Sequence, residues 1–393
     1  MTMSALDRTS PFVVRDAIAM PGADEHPVRA RAARTDGYTI HVTRTLDDAV
    51  ERLARLLDGV KVAMLTDDVV MALHGRKLVD ALASAGVDAQ TSVLPAGERS
   101  KCLEQASRVW DWLAAGSIGR RDVLLAFGGG VINDTGGWVA SGYMRGIPYV
   151  NLPTTLLAQV DGALGGKVAV NHRLAKNLLG AFYQPLGVVS NIEYLQTIEG
   201  RHLRAGLAEA IKKAVIASPA YWDFIERNLD AILEREPAAL ERLVRAASAI
   251  KTALVGRDPY EDDLRRPLNF GHTIGHPLET VTGYGPLLHG EAVAFGMVVE
   301  SRIAHNRGLL GEETLARIVE LLRRAGLPTM GSDLPVPADA DAIVGATEKV
   351  RLIRAGSLRW VLPKAFGETA IADDVTEREV RRALRESGVT GVA

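Results

Sequence analysis

The chain has 393 residues, too long for one ordinary hydrophobic core, and its 47% hydrophobic and 24% charged content exclude a largely disordered protein. The balance of 46 basic against 48 acidic residues argues against nucleic acid as a partner, and no apolar run has the ~18 residues of a membrane span. Cys102 is the only cysteine, so no internal disulfide forms, which fits a reducing cytoplasm.

Short apolar runs alternate with helical periodicity in the first half of the chain. Strands are predicted at Tyr38–Val42, Val60–Leu65, Ala89–Leu94, Asp122–Phe127 and Ile147–Leu152, with helices at Leu46–Leu57, Val69–Ala85, Lys101–Ala115 and Val131–Tyr143. This alternation is typical of βαβ units and predicts a parallel α/β sheet that binds ligands at the carboxyl ends of its strands. Residues 1–35 lack the apolar segment of a signal peptide, and we expect a partly disordered lead-in there.

After about residue 190, strand-like runs become rare and apolar residues recur at helical spacing. Helices are predicted at 202–217, 238–255, 270–281, 289–308 and 312–325, followed by a hairpin arm at Leu358–Leu362 and a last helix at Thr376–Glu386. The predicted organisation is an α/β domain over residues 36–190 and a mostly α-helical domain over 191–393.

Three glycines, Gly128–Gly130, separate a predicted buried strand from a predicted helix. Glycines allow the backbone to approach a pyrophosphate, whose charge the helix N-terminus favours, although a tight turn without a ligand explains them as well. The spacing is not that of an ordinary Rossmann dehydrogenase. Asp134 is expected in the first turn of the helix, where it either caps the helix or bonds to a cofactor.

Further polar residues follow the ends of other predicted strands. Glu98 and Asp67 compete as partners for a ribose hydroxyl, and helix capping by Glu98 with a solvated Lys101 is the plain alternative. Two more lysines, Lys167 and Lys176, lie among small and apolar residues, where a lysine needs an anionic partner. A phosphate or carboxylate ligand would supply that partner, as would Asp161.

Three histidines lie within eighteen residues of the second half. His272 and His276 are four residues apart on one predicted helix face, His289 follows, and Glu209 lies upstream. Two or three histidines with one glutamate form a catalytic zinc set with an open coordination position, whereas a single histidine would more simply cap a helix. The HExxH motif of metalloproteases is absent from the sequence.

Basic residues accompany these candidate ligands. Lys212 follows Glu209 by three positions and shares its helix face. Lys251 and Arg265 precede the histidines, and an arginine there is suited to gripping a carboxylate or phosphate.

Together these motifs resemble the 3-dehydroquinate synthase family of sugar phosphate cyclases. The resemblance covers about residues 60–365 and rests on Gly128–Asp134, Tyr143–Gly146, Pro153–Lys167, Lys176–Pro185, Gly206–Lys212, Leu268–His276 and Leu288–Glu291. It implies a nucleotide-binding α/β domain followed by a helical metal-binding domain. It also implies NAD, a divalent metal (zinc, or cobalt in its place), a small sugar phosphate as substrate and a homodimer.

The resemblance also implies a role for individual residues. The metal ligands are Glu209, His272 and His289. The substrate contacts are Asp161, Lys167, Asn177, Lys212, Lys251, Arg265, Asn269 and His276, with Arg145 reaching the phosphate site of a neighbouring subunit. The cofactor positions are Asp67, Glu98, Lys101, Gly129, Gly130, Asp134, Thr154, Thr155 and Lys176.

The family chemistry oxidises a ring hydroxyl with NAD, eliminates phosphate, returns the hydride and closes a carbocycle by an aldol step. Lys251 and Arg265 match the positions that hold the carboxylate of 3-deoxy-D-arabino-heptulosonate 7-phosphate, so formation of 3-dehydroquinate is the first expectation. Relatives that cyclise sedoheptulose 7-phosphate have no carboxylate to hold. An NAD- and metal-dependent polyol dehydrogenase and an inactive binding module are the alternatives from other classes.

Several positions depart from the family pattern. Asn133 replaces a common glycine, and Val350-Arg351-Leu352 stands where Asp-Lys-Lys is expected. A phosphate-contacting lysine is therefore missing or replaced by Arg351 or Arg354. These departures favour a specialised cyclase of secondary metabolism that accepts a heptulose phosphate or an amino analogue.

Overall fold

The computed structural model describes residues 12–13, 28–32, 35–173, 175–260, 264–283, 285–353 and 358–391. The chain divides into two compact units. The sheet unit consists of Pro21–Gly206 and Asp230–Asp262, and the helical unit consists of Met1–Met20, Leu207–Leu229 and Asp263–Ala393. The sequence placed one boundary near residue 190. The units differ from that division because Asp230–Asp262, although helical, belongs to the sheet unit.

The strands are β1 Phe12–Val13, β2 Val28–Ala32, β3 Thr35–Thr43, β4 Val62–Asp67, β5 Ala89–Leu94, β6 Val123–Gly128, β7 Tyr149–Pro153, β8 Lys167–His172, β9 Ala175–Phe182, β10 Gly187–Asn191, β11 Trp360–Ala365 and β12 Glu368–Ala372. The helices are α1 Leu46–Leu56, α2 Asp68–Val70, α3 Arg76–Ser84, α4 Leu103–Ala115, α5 Gly130–Gly142, α6 Gly200–Ala217, α7 Pro219–Arg227, α8 Leu229–Leu233, α9 Pro237–Arg257, α10 His272–Val281, α11 His289–Asn306, α12 Glu312–Arg324, α13 Ala340–Ile353 and α14 Glu377–Glu386.

A seven-stranded sheet in the order β2-β3-β10-β7-β6-β4-β5 forms the core of the sheet unit. From β3 to β5 in this order, all neighbouring strands pair in parallel, whereas β2 pairs antiparallel with β3. Every residue of the interior strand β6 is buried. Its Leu125 and Phe127 pack on one face with residues of α1 and α3, and its Leu124 and Ala126 pack on the other face with residues of α4 and α5. Burial on both faces is what the continuous apolar run of this strand predicts.

The α/β fold predicted for the first half is confirmed, with three additions. The sequence did not predict the hairpin of β8 and β9 or the strand β10, which pairs with both β3 and β7. It also did not predict β1 and β2, which lie within the expected lead-in. Apart from Thr35, with which β3 begins, the rest of that lead-in falls outside the described residues.

The second half of the chain contains the predicted helices, with the one expected at 238–255 found as α9 of the sheet unit, and adds α7, α8 and α13. The expected hairpin arm is the pair β11 and β12, joined by β1 in a three-stranded sheet. Helices α10 and α11 approach through glycines: a Cβ at Gly296 would lie 1.9 Å from Gly271 O, and one at Gly275 would lie 3.1 Å from Ala292 O. This close backbone approach fixes the two helices that carry the three histidines. Among the described helices, none is both long and apolar enough to cross a membrane.

Candidate active site

Several predicted cofactor residues of the sheet unit lie at the carboxyl ends of neighbouring strands. Asp67 ends β4, where its carboxylate accepts a hydrogen bond of 2.8 Å from Val70 N and caps α2. Gly128 ends β6 opposite Pro153 of β7, and the buried Thr154 donates its backbone N–H to Gly128 O at 3.0 Å. Since parallel strands end at one edge of a sheet, these residues share the edge where α/β proteins bind nucleotides.

The glycine turn leaves room in front of α5. A Cβ at Gly129 would meet Thr155 Cγ2 at 3.1 Å, whereas a Cβ at Gly130, the first helical residue, would meet nothing within 4 Å. The first-turn amides of an α-helix have no partner within the helix, so they suit a phosphate group in this space.

A hydrogen-bond network joins three predicted segments of the sheet unit. Lys101, which is only 4% exposed, binds both Asp134 and the side-chain oxygen of Asn177. Asn171 accepts a bond of 2.9 Å from Asn177 N and donates one of 2.8 Å to Glu98. The alternative interpretation of Lys101 as a solvated residue is therefore wrong. Asp134 does not cap α5 either, because it lies beyond the first turn and its carboxylate contacts Lys101.

The pKa of Asp134 is raised because burial outweighs the attraction of Lys101. The positive charge of Lys251 also acts on Asp134, so Lys251 belongs to the same region. Lys251 Nζ lies 3.0 Å from Asp161 Oδ2 and donates to Asp161 O at 2.7 Å. The structure thus brings together six predicted residues: Glu98, Lys101, Asp134, Asp161, Asn177 and Lys251.

Other predicted residues of the sheet unit are closer to solvent. Lys167 begins β8 and is exposed, so the buried setting expected for it is wrong, because its side chain alternates with those of Val168 and Val170, which face the core. Lys176 is partly buried on β9. Arg145 is exposed in a short 3-10 turn with φ 68°.

In the helical unit, Glu209 faces the histidines. Its side chain is 1% exposed, and its Oε1 lies 3.6 Å from His272 Nε2 and 3.8 Å from His289 Nε2. Neither carboxylate oxygen of Glu209 accepts a hydrogen bond from the residues that the structure describes. The other oxygen, Oε2, forms an ion pair with the ammonium group of the buried Lys212, and Lys213 Nζ lies 3.7 Å from it. One oxygen of Glu209 is therefore anchored while the other is directed at two imidazoles.

The tautomers of both histidines follow from their outer partners. His289 Nδ1 lies 2.9 Å from Glu279 Oε2, and His272 Nδ1 lies 3.2 Å from Phe270 O. Since both partners are acceptors, each neutral imidazole carries its proton on Nδ1 and presents the lone pair of Nε2 to Glu209. A carboxylate or carbonyl behind a histidine is the usual outer support of a metal ligand.

The two histidines have opposite pKa shifts. Burial, reinforced by the charge of Lys212, lowers the pKa of His272 well below its usual range. Burial also disfavours charge on His289, but the hydrogen bond and charge of Glu279 outweigh it and raise the pKa of His289.

These residues fit a divalent metal. Glu209 Oε1 and the Nε2 atoms of His272 and His289 are three electron-pair donors that converge on one point, and a cation there would bind all three and leave a coordination position open. His276 is exposed, and its ligand nitrogen lies within 4.8 Å of those of the other two histidines. It is therefore either a contact of a bound substrate or an alternative third ligand.

Two further predicted residues precede α10. Arg265 is 2% exposed, and Asn269 ends the following 3-10 turn and is partly buried. Side chains of residues 350–353 and all of 354–357 fall outside the described residues, so the expected replacements Arg351 and Arg354 are not placed. Sequence reasoning missed Glu279, which lies ten residues before His289 and three after His276. The one signal available in the sequence was that Glu279 follows His276 by three residues, which places both on the same face of a predicted helix.

Sequence models of the 3-dehydroquinate synthase N-terminal and C-terminal domains match residues 91–205 and 206–348. The chain belongs to the sugar phosphate cyclase family. It is 54% identical over 379 residues to a 2-epi-valiolone synthase of Actinosynnema mirum, covering 96% of this chain and 99% of that one. It is 40% identical over 350 residues to a 3-dehydroquinate synthase of Desulforamulus reducens, covering 89% and 97%.

A solved structure is similar over most of the chain. It is a 2-epi-5-epi-valiolone synthase of Streptomyces hygroscopicus with NAD⁺ and Zn²⁺ bound, 32% identical, with a TM-score of 0.82 and coverage of 91% of this chain and 98% of that one. The predicted family and its two-part fold are confirmed. The two curated relatives differ in product, so family membership alone does not select the substrate.

Proposed function

We propose that this protein is a valiolone-type cyclase that converts sedoheptulose 7-phosphate into a carbocycle with release of phosphate. NAD and a divalent metal, zinc or cobalt, are its cofactors, and it acts as a homodimer in the cytoplasm. The observation that carries the choice is the 54% identity to a 2-epi-valiolone synthase over nearly the whole chain, against 40% to a 3-dehydroquinate synthase. The first expectation from the sequence was formation of 3-dehydroquinate. The proposal replaces it with the alternative, a cyclase that acts on sedoheptulose 7-phosphate.

The state of Lys251 supports a substrate without a carboxylate. This lysine was expected to hold the carboxylate of a heptulosonate, but its ammonium group is bound by the carboxylate and the carbonyl of Asp161. A cation that already has a close anionic partner gains less from a second one, because that partner would have to be displaced or share it. The retained Arg265 favours the dehydroquinate alternative, which therefore remains the second candidate.

When bound, NAD and the metal supply reversible hydride abstraction and Lewis-acid polarisation of a ring hydroxyl. Glu209, His272 and His289 hold the metal, and Lys212 fixes the carboxylate of Glu209. His276 is exposed beside these ligands, where it is able to accept a proton from a substrate hydroxyl.

The sheet unit binds the cofactor and the phosphate. The amides that begin α5 hold the pyrophosphate of NAD, and the network of Lys101 and Asp134 orders the loops around it. The leaving phosphate is bound by lysines of the β8–β9 hairpin, Lys167 and Lys176, and by Arg145 from the partner subunit. Cationic side chains aimed at a leaving phosphate stabilise the charge that develops on it.

The test is phosphate release by the purified protein with zinc or cobalt and NAD⁺, using sedoheptulose 7-phosphate and the heptulosonate 7-phosphate in parallel. We expect release from the first substrate only, without net accumulation of NADH. Release from the heptulosonate alone would make the protein a dehydroquinate synthase, and NADH accumulation without phosphate would make it a dehydrogenase. The Glu209→Gln variant is the matched control, because phosphate that it releases at the wild-type rate comes from a contaminating phosphatase.

A further inference from the structure

A buried carboxyl group of α11 lies under the start of α10. Glu300 has no exposed surface, and its side chain accepts backbone hydrogen bonds from Gly271 at 2.8 Å, Thr273 at 3.0 Å and Ile274 at 3.4 Å. Amides at a helix start lack partners within the helix, and a buried carboxyl group is costly unless it is hydrogen-bonded. Glu300 and the start of α10 therefore satisfy each other.

The amides that Glu300 binds lie on both sides of His272. Gly271 has φ 80°, in the left-handed region, and a Cβ there would lie 2.6 Å from Val293 O of α11. The backbone is thus tightly packed where α10 begins. The same turn supplies Phe270 O, which orients the imidazole of His272.

We propose that Glu300 is a positioning residue of the metal centre, one that fixes the start of α10 so that His272 Nε2 points at Glu209 and His289. This inference rests on the proposed metal-dependent function. Neither oxygen of Glu300 contacts a proposed ligand directly, so its action passes through the backbone of Gly271 and Thr273.

The requirement is for two acceptor oxygens rather than for a charge. Burial raises the pKa of Glu300 to about 8, despite the three backbone hydrogen bonds that lower it. A carboxyl group retains lone pairs on both oxygens in either protonation state, whereas the amide nitrogen of glutamine has none to offer. In Glu300→Gln, one of the two groups of backbone donors therefore loses its acceptor.

The experiment compares Glu300→Gln with Glu241→Gln in the full-length protein. Glu241 is the matched control because it is also a buried glutamate, 5% exposed. Its carboxylate accepts hydrogen bonds from Arg44 and Arg245 in the sheet unit. The zinc dissociation constant is measured by competition with a chelator, and the coordination geometry by the visible absorption of bound Co²⁺. We expect Glu300→Gln to raise the dissociation constant about 10- to 100-fold and to change the Co²⁺ spectrum, as loss of an outer-shell partner does. Glu241→Gln should lower thermal stability while leaving both metal readouts at wild-type values.

Wild-type affinity and an unchanged Co²⁺ spectrum in Glu300→Gln would overturn the inference, and a lowered melting temperature would then mark Glu300 as a purely structural cap. If the wild-type protein itself binds neither zinc nor cobalt, the proposed function fails instead. Should Glu300→Gln not fold, Glu300→Asp replaces it, since a carboxyl group shortened by one methylene reaches the same amides less well. Wild-type metal affinity in Glu300→Asp would equally overturn the inference.

Discussion

His272 and His289 each hold a proton on the nitrogen that faces away from Glu209. Their outer partners differ, a backbone carbonyl for His272 and the carboxylate of Glu279 for His289, yet the result is the same. Residue types and spacing indicated a zinc set of two or three histidines with one glutamate, and the family resemblance singled out Glu209, His272 and His289 as candidate ligands. The sequence did not predict their orientation, because that depends on the packing of α10 against α11.

At the scale of residues, the first prediction separates two possible ligand sets. Glu209→Gln should lower zinc affinity by at least about 100-fold, because an amide oxygen carries no charge to balance the metal. His276→Ala should retain zinc and lower kcat/KM instead. Metal analysis of both purified variants after dialysis checks this. Zinc loss in His276→Ala with retention in Glu209→Gln would assign the metal to the three histidines.

The errors of the sequence analysis at this scale concern charged groups whose partners are distant in the chain. The sequence analysis allowed that Lys101 is solvated and that Asp134 caps a helix. In the structure the two side chains bind each other, although they are 33 residues apart in the chain. Local spacing indicates capping well but says nothing about a partner from another βα unit. Glu300 escaped notice for the same reason, although a glutamate inside the apolar run of α11 was a visible signal.

At the scale of elements, the start of α5 offers a test of nucleotide binding. Gly130→Ala should leave the free protein as stable or up to about 1 kcal/mol more stable, because alanine favours a helix and its Cβ meets nothing. The same Cβ should obstruct a pyrophosphate and raise the NAD dissociation constant at least about tenfold, or 1.4 kcal/mol. Calorimetric titration with NAD⁺ checks the predicted loss of affinity, and thermal melting checks the predicted stability.

Gly128→Ala is the matched control, since its Cβ would lie 2.7 Å from Ile132 Cβ. Overpacking of this kind costs about 1–3 kcal/mol, so this variant should lose stability before it loses affinity. Unchanged NAD affinity in Gly130→Ala would mean that the pyrophosphate does not lie at this turn.

Elements with a long, strongly periodic pattern were predicted within a few residues, and short or irregular ones were not. Strand β10 was missed because only Val188 and Val189 among its five residues are large and apolar, which is too short a run to indicate a buried strand. In the β8–β9 hairpin, Val168–Val170 is buried while β9 is largely exposed, and the glycines beside it weaken any strand pattern. Such a two-stranded element depends on tertiary packing, which local sequence does not encode.

The last helix provides a prediction about pH. Arg307 donates to Glu379 at 2.6 and 3.0 Å, and Glu379 also closes the capping box of α14 with Thr376. The hydrogen bonds of Arg307 lower the pKa of Glu379 to about 2, from 4.5. A lowered carboxyl pKa stabilises the folded state above the unfolded pKa, and this contribution is lost as pH falls from about 4.5 towards 2.

Glu379→Gln keeps the capping box but loses the charged bond, which should cost about 1–2 kcal/mol at pH 7. The difference from the wild type should narrow as pH falls below about 4.5, measured by denaturant unfolding at pH 7, 5, 4 and 3. Glu377→Gln on the same helix is the control, because this residue bonds to Arg381 near the surface and should change stability by less than about 0.5 kcal/mol. A constant difference between the wild type and Glu379→Gln across this range would refute the role of the charge.

At the scale of the whole molecule, the chain passes repeatedly between the two units. The changes at 206/207 and 229/230 fall inside α6 and α8, so neither helix belongs wholly to one unit. The sequence did predict one α/β and one helical half. It did not predict the exchange of segments, because the amphipathic pattern of α9 reports that one face is buried but not which unit covers it.

These shared helices predict that the two units unfold together. Loss of either unit would leave α6 without packing for half of its length, so we expect one calorimetric transition rather than two. Zinc at 100 times its dissociation constant should then stabilise the whole protein by about 2.7 kcal/mol, and NAD⁺ at the same ratio should do likewise. Differential scanning calorimetry with each ligand should show the single transition moving to a higher temperature in both cases.

In Glu209→Gln the shift with zinc should disappear while the shift with NAD⁺ remains. Two transitions, of which zinc moves only one and NAD⁺ only the other, would show instead that the units are thermodynamically independent despite the helices that join them.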